Sequence, residues 1–130
     1  TVSASSAGEN TWFNMVNLGE RDNYFELKEG PVRVEISEHL NNFWSRKESD
    51  DGAYRYFPKF QESQLPGLEL VLVKKKEGNH SGIIEDGDIV AFRDRTPAGR
   101  YGYLQLSEKD NTTLINLDDS TREEAEQFEV

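Results

Sequence analysis

His39 and His80 are the only imidazoles in this 130-residue chain, and cysteine is absent. Thiol nucleophiles, disulfides and cysteine-bound zinc are therefore excluded, and packing alone must stabilise the fold. Neither histidine lies beside a nucleophile elbow or a zinc-protease motif. Both fall in turn-like sequence, where a solvated loop histidine is the simpler assignment. Carboxylate pairs such as Glu35 with Glu38, or Asp118 with Asp119, read as solvated surface groups, because an acid–base pair needs a tuned separation that adjacency in sequence does not supply. Glu85-Asp86-Gly87-Asp88 begins like a calcium loop but lacks the further ligands of an EF-hand, and a tight turn into a strand explains it. These residue types call for no catalytic group, no metal and no cofactor. The expectation is that the protein is not an enzyme.

Binding chemistry is better represented. Sugar rings present apolar C–H faces that stack on flat aromatic rings, while their hydroxyls need directional partners. Phe43, Trp44, Arg46, Tyr54, Tyr56 and Phe57 cluster beside Asn41 and Asn42, and Arg100, Tyr101 and Tyr103 form a second group. The candidate ligand-binding residues are Asn42, Trp44, Arg46, Tyr54, Tyr56, Arg100 and Tyr101. Neighbouring strand residues face opposite ways, so one ring of Phe43/Trp44 and one of Tyr56/Phe57 is expected in the core. A fully structural role for all these rings, stabilising strand pairs, is the competing assignment. Lys74-Lys75-Lys76 reads first as a guard on a sheet edge, with a sulfated glycan or acidic partner as the alternative.

Short alternating runs separated by turn residues must position these groups. Strands are expected near Trp12–Leu18, Tyr24–Lys28, Val32–Ser37, Phe43–Lys47, Tyr54–Pro58, Leu68–Lys74, Asp88–Arg93, Tyr101–Leu106, Thr113–Leu117 and Gln127–Val130. Gly30-Pro31, Asp51-Gly52, Pro66-Gly67, Asp86-Gly87 and Pro97-Ala98-Gly99 supply the reversals. Ser120 stands at capping-box spacing from Glu123, which allows one or two helical turns. Residues 1–10 read as a flexible polar tail and 11–130 as a single β domain. The start at Thr1 rather than Met leaves room for upstream residues.

Charge narrows the partners. With 25 acidic against 15 basic residues, the net charge of −10 repels phosphate backbones, so nucleic acid is not an expected partner. The apolar stretches are too short for a membrane span. Asn79-His80-Ser81 and Asn111-Thr112-Thr113 fit the N-glycosylation pattern, which is usable only after secretion, whereas the lack of cysteine leans toward the cytosol. Compartment stays open.

Repeats bear on the architecture. Tyr24-Phe25-Glu26-Leu27, Gly67-Leu68-Glu69-Leu70 and Gln127-Phe128-Glu129-Val130 echo one another. The block from Val32 to Leu70 aligns with that from Ile89 to Val130, each with four strands in the same order. The expected fold class is all-β, a β-trefoil of pseudo-repeated four-strand units, with a two-sheet antiparallel sandwich as the alternative. Asp88-Ile89-Val90-Ala91-Phe92-Arg93, Gly99-Arg100-Tyr101-Gly102-Tyr103-Leu104 and Glu126-Gln127-Phe128-Glu129-Val130 together resemble one repeat of the fascin-like and amaranthin-type agglutinin β-trefoils. Pro31–Arg46 is similar to the same motif. That resemblance implies a non-enzymatic trefoil that binds glycans in the agglutinins or actin in the fascins. The functional expectation is a lectin-like, carbohydrate-binding module, with avidity from several sites or a homo-oligomer. The alternative is a receptor-binding, inhibitory or cytoskeletal module with a protein partner.

Overall fold

The computed structural model describes residues 2–4, 12–19, 26–35, 43–48, 54–61, 67–95, 101–106, 114–118 and 121–130. Within them lie ten strands: β1 (Val2–Ala4), β2 (Trp12–Asn17), β3 (Gly30–Glu35), β4 (Phe43–Glu48), β5 (Tyr54–Gln61), β6 (Glu69–Lys74), β7 (Ile89–Arg95), β8 (Tyr101–Leu106), β9 (Leu114–Asp118) and β10 (Phe128–Glu129). The expected helix near residue 120 is a single 3₁₀ turn, Arg122–Glu124. The protein is all-β, and every strand pairing is antiparallel.

The pairings form one sheet that returns on itself. β3 pairs with β6, β6 with β7, β7 with β10, β10 with β1, β1 with β2, and β2 with β3. In this closed ring each of the six strands has a partner strand on both sides, whereas the outer strands of a two-sheet arrangement would keep a bare edge. The hairpins β4–β5 and β8–β9 extend from it and join each other through β5 and β9. β1 lies inside the segment expected to be a tail. Ser3 and Ala4 pair with Glu129 and Phe128 of β10, so backbone hydrogen bonding orders a stretch whose polar composition carried no periodic signal.

The register gives the repeat a physical basis. Val32 donates its N–H to the Leu68 carbonyl at 3.0 Å, and Val90 stands opposite Phe128 across β7 and β10. Phe43 opposite Glu35 corresponds to Tyr103 opposite Arg93, which makes Trp44 the counterpart of Leu104. Val32, Trp44, Leu68, Val90, Leu104 and Phe128 all enter one core. Trp44 lies 5.2 Å from Phe92 and 6.1 Å from Phe128 between ring centroids, with tilted rings.

One member of the expected triplet is different. Asn14 and Met15 oppose Glu35 and Val34 as Glu69 and Leu70 oppose Arg93 and Phe92. The counterpart of Leu68-Glu69-Leu70 in the first part of the chain is therefore Phe13-Asn14-Met15, not Phe25-Glu26-Leu27. Leu27 sits in the β2–β3 connection, where it bridges to Ile84, and Phe25 is outside the described residues. An apolar–polar–apolar triplet arises wherever a strand is half buried, so the sequence echo alone could not rank these two segments.

β7 is buried on both faces. Val90 and Phe92 point into the ring, and Ala91 packs outside it with Val71 and Ala125 under the 3₁₀ turn. Tyr56 of β5 donates its hydroxyl to Asp94 Oδ2 at 2.7 Å. This buried bond fastens the β4–β5 hairpin to β7, as buried polar groups require partners.

Candidate functional site

Two surfaces carry chemistry, one near each end of β7. The first is built on Tyr101, the opening residue of β8 and the one large hydrophobic side chain that is exposed among the described residues. Cross-strand pairing places Glu69 opposite Arg93, and the carboxylate accepts from Arg93 Nε at 3.2 Å and Nη2 at 2.5 Å. That hydrogen bonding to Glu69 raises the guanidinium's pKa above its ordinary value. So fixed, the guanidinium lies 4.5 Å from the centre of the Tyr101 ring, a cation–π stack that orients the phenol while leaving much of it in solvent.

The second surface is the connection between β6 and β7, organised by Asp88. This carboxylate is fully buried. Oδ2 accepts from Lys75 Nζ at 2.8 Å and Glu85 N at 3.0 Å, and Oδ1 accepts from Lys76 N and Asn79 Nδ2, each at 2.7 Å. Burial by itself would raise the Asp88 pKa. The hydrogen bonds from Glu85, Lys75, Lys76 and Asn79 outweigh it and hold the carboxyl well below the usual carboxylate range. The turn also needs Gly87, whose φ is +92° and whose missing Cβ leaves room for the Lys76 stem.

The lysine triplet is thus divided in use. Lys75 turns inward, bonding the Ile83 carbonyl at 2.5 Å as well as Asp88. Lys74 and Lys76 are exposed and border a groove of about 500 Å³ with Glu77, Gly87, Ile89 and Glu129. β6 pairs with β7 on one side, and at Leu72 on the other the backbone N–H donates to Glu29 Oε1 at 2.6 Å while the carbonyl accepts from Arg122 at 3.2 Å. Side chains from elsewhere thus close that edge at Leu72.

The sequence-derived candidates separate clearly. Trp44 and Tyr56 are enclosed in the core, so their rings pack and cannot form a solvent-facing platform. Arg46 and Tyr54 stand on the β4–β5 hairpin, where Arg46 opposes Tyr56 and Tyr54 opposes Glu48. Asn42, Arg100 and His39 lie outside the described residues. Tyr101 alone of the seven is placed as an exposed ring among the described residues. His80 is exposed, with Nδ1 at 3.2 Å from Glu85 Oε1. Among the described residues no three of His, Asp and Glu converge as metal ligands. The groove at Lys74 and Lys76 was hidden from sequence reasoning because Glu129 reaches it only through the pairing of β10 with β7, although the dense lysine triplet was a visible signal.

No family model matches the chain, and no solved structure matches it. It is similar to a protein named sphingomyelinase C from Leptospira interrogans, with 34% identity over 105 residues. The match takes in 79% of this chain and 18% of that relative, so the chain spans less than a fifth of the relative's length. This likeness overturns the expectation of a protein with no enzymatic role, because the matched relative carries an enzyme's name. The physical reason is one of scope. Paired bases and nucleophiles are legible only in the residues present, and those residues correspond to a small part of the matched protein.

Proposed function

We propose that this chain is the recognition part of a sphingomyelinase-C-like protein, a β module that engages the sphingomyelin-bearing surface on which such a protein acts. The observation that carries this reading is the 34% identity spread over 79% of the chain, too long a stretch to reduce to one strand motif. The closed six-strand ring with two hairpins supports a β-trefoil-like arrangement in which two four-strand units are full and the first is abbreviated to β1 and β2. In such a scaffold the connections and hairpin ends are available for ligands. Among the described residues no helix is long and apolar enough to cross a membrane, and the surface contact proposed here needs none.

Co-sedimentation with vesicles tests the reading. The chain is expected to partition onto sphingomyelin vesicles in preference to phosphatidylglycerol vesicles, since its net charge of −10 opposes an anionic surface. Equal partition onto both, or onto neither, would overturn it.

A second reading is favoured by one observation, the exposed Tyr101 ring held from beneath by Arg93. A glycan stacked on this ring, with Glu69 and Arg93 near its hydroxyls, would make the module lectin-like. Binding on a glycan array that is lost in Tyr101→Ala would support it, and an array without signal would remove it.

A further inference from the structure

We infer that the groove between Lys74, Lys76 and Glu129 is a binding site for a zwitterionic phosphodiester headgroup, a phosphate joined to a quaternary ammonium. The inference rests on the sphingomyelin reading for its biological source, and on the groove's own charges for its chemistry. Lys74 of β6 and Glu129 of β10 both pair with Ile89 of β7, so a cation, an apolar residue and an anion stand in one row across three strands. Neighbouring strands lie about 4.8 Å apart. The row thus offers opposite charges at the two ends of a short apolar step.

Besides Lys75, which is tied to Asp88, four charged side chains border the groove: Lys74, Lys76, Glu77 and Glu129. None of the four has a hydrogen-bond or ion-pair partner among the described residues. Lys76 is not loosely placed, because its stem lies across Gly87, where a Cβ would come within 2.4 Å of Lys76 Cδ. Its backbone N–H is bound to Asp88. The lysines can donate charge-assisted hydrogen bonds to phosphate oxygens. A quaternary ammonium has no N–H to donate, and it is held by carboxylate charge and apolar contact, which Glu129 and Ile89 supply.

Net charge decides between a zwitterion and a plain anion. The field of a protein at −10 opposes any ligand of net negative charge, whereas a phosphodiester with a quaternary ammonium is neutral overall and meets no such barrier. A site for phosphate alone would gain nothing from two carboxylates at its rim.

Calorimetric titration of the chain with glycerophosphocholine, inorganic phosphate and choline tests the assignment. Glycerophosphocholine is expected to bind more tightly than either of the others. Lys74→Gln with Lys76→Gln should weaken it about tenfold or more, the scale of losing charge-assisted hydrogen bonds. Glu129→Gln should weaken glycerophosphocholine and choline while leaving phosphate unchanged or tighter. These side chains are exposed, and unaltered circular dichroism would show that folding is intact. Absence of glycerophosphocholine binding, or phosphate binding equally well and insensitive to Glu129→Gln, overturns the assignment. Vesicles separate the source of the headgroup: variants that lose glycerophosphocholine should also lose sphingomyelin vesicles if the ligand is a lipid, while retention of vesicles by wild type alone marks the groove as the lipid contact. Sphingomyelin vesicles bound equally by wild type and groove variants would sink the groove and leave the sphingomyelin reading standing.

Discussion

Asp88→Asn isolates the interaction that shapes the β6–β7 connection. The wild-type carboxylate serves four donors, two at each oxygen. Asparagine has one acceptor oxygen, so in either amide orientation two donors would face an NH₂ group. If the oxygen replaces Oδ1, Lys75 Nζ and Glu85 N lose their acceptor; if it replaces Oδ2, Lys76 N and Asn79 Nδ2 do. A buried donor left unsatisfied costs about 1–3 kcal/mol, more where a charge is involved. Lys75 is 24% exposed, so water recovers part of its share, and the expected loss is about 3–5 kcal/mol, in the range for breaking a buried ion pair. Equilibrium unfolding in guanidinium chloride at neutral pH would measure it as a lowered midpoint at unchanged slope. The pH dependence gives an independent check. A carboxyl whose folded pKa is depressed contributes stability above its unfolded value near 3.9, and that contribution is lost as pH falls through this value toward the folded one. Wild type should therefore weaken progressively below about pH 5, and Asp88→Asn should show a flatter profile over the same interval. A variant within about 1 kcal/mol of wild type, with an unchanged acid profile, would refute the role given to Asp88.

Three further outcomes follow from the packing. Tyr56→Phe removes the buried hydroxyl bond to Asp94 and should cost about 1–3 kcal/mol in denaturant unfolding, with the near-ultraviolet dichroism otherwise preserved. Phe128→Ala should cost about 3–5 kcal/mol and change tryptophan emission, because Trp44 packs against that ring; Leu68→Ala at the matching position should cost about 2–5 kcal/mol. Tyr101→Ala, on the exposed side of the Arg93 stack, should shift stability by no more than about 0.5 kcal/mol, so that any change in ligand binding is a surface effect.

Much of the strand pattern is legible in the residues. Alternation with turn punctuation locates Tyr101–Leu106 to the residue, and Trp12–Asn17 and Leu114–Asp118 to within one, because half-burial imposes a period of two and Gly, Pro and Asp mark the reversals. The β1 strand is not legible, since Val2-Ser3-Ala4 is too short to show a period and is held by pairing with β10 from the far end of the chain. Aromatic content likewise flags Trp44, Tyr56 and Tyr101 as notable without dividing them. Burial by residues distant in sequence makes the first two core and leaves the third in solvent.

Local alternation and composition determined on their own that this chain is all-β and acidic, because those properties depend only on neighbours in sequence. Which triplet is the true counterpart of Leu68-Glu69-Leu70, that Lys74 and Glu129 flank Ile89, and that Asp88 is the buried centre of a loop were decided by tertiary structure alone. Each depends on strand pairing or on side-chain contacts across a loop, which bring together residues that are not neighbours in sequence.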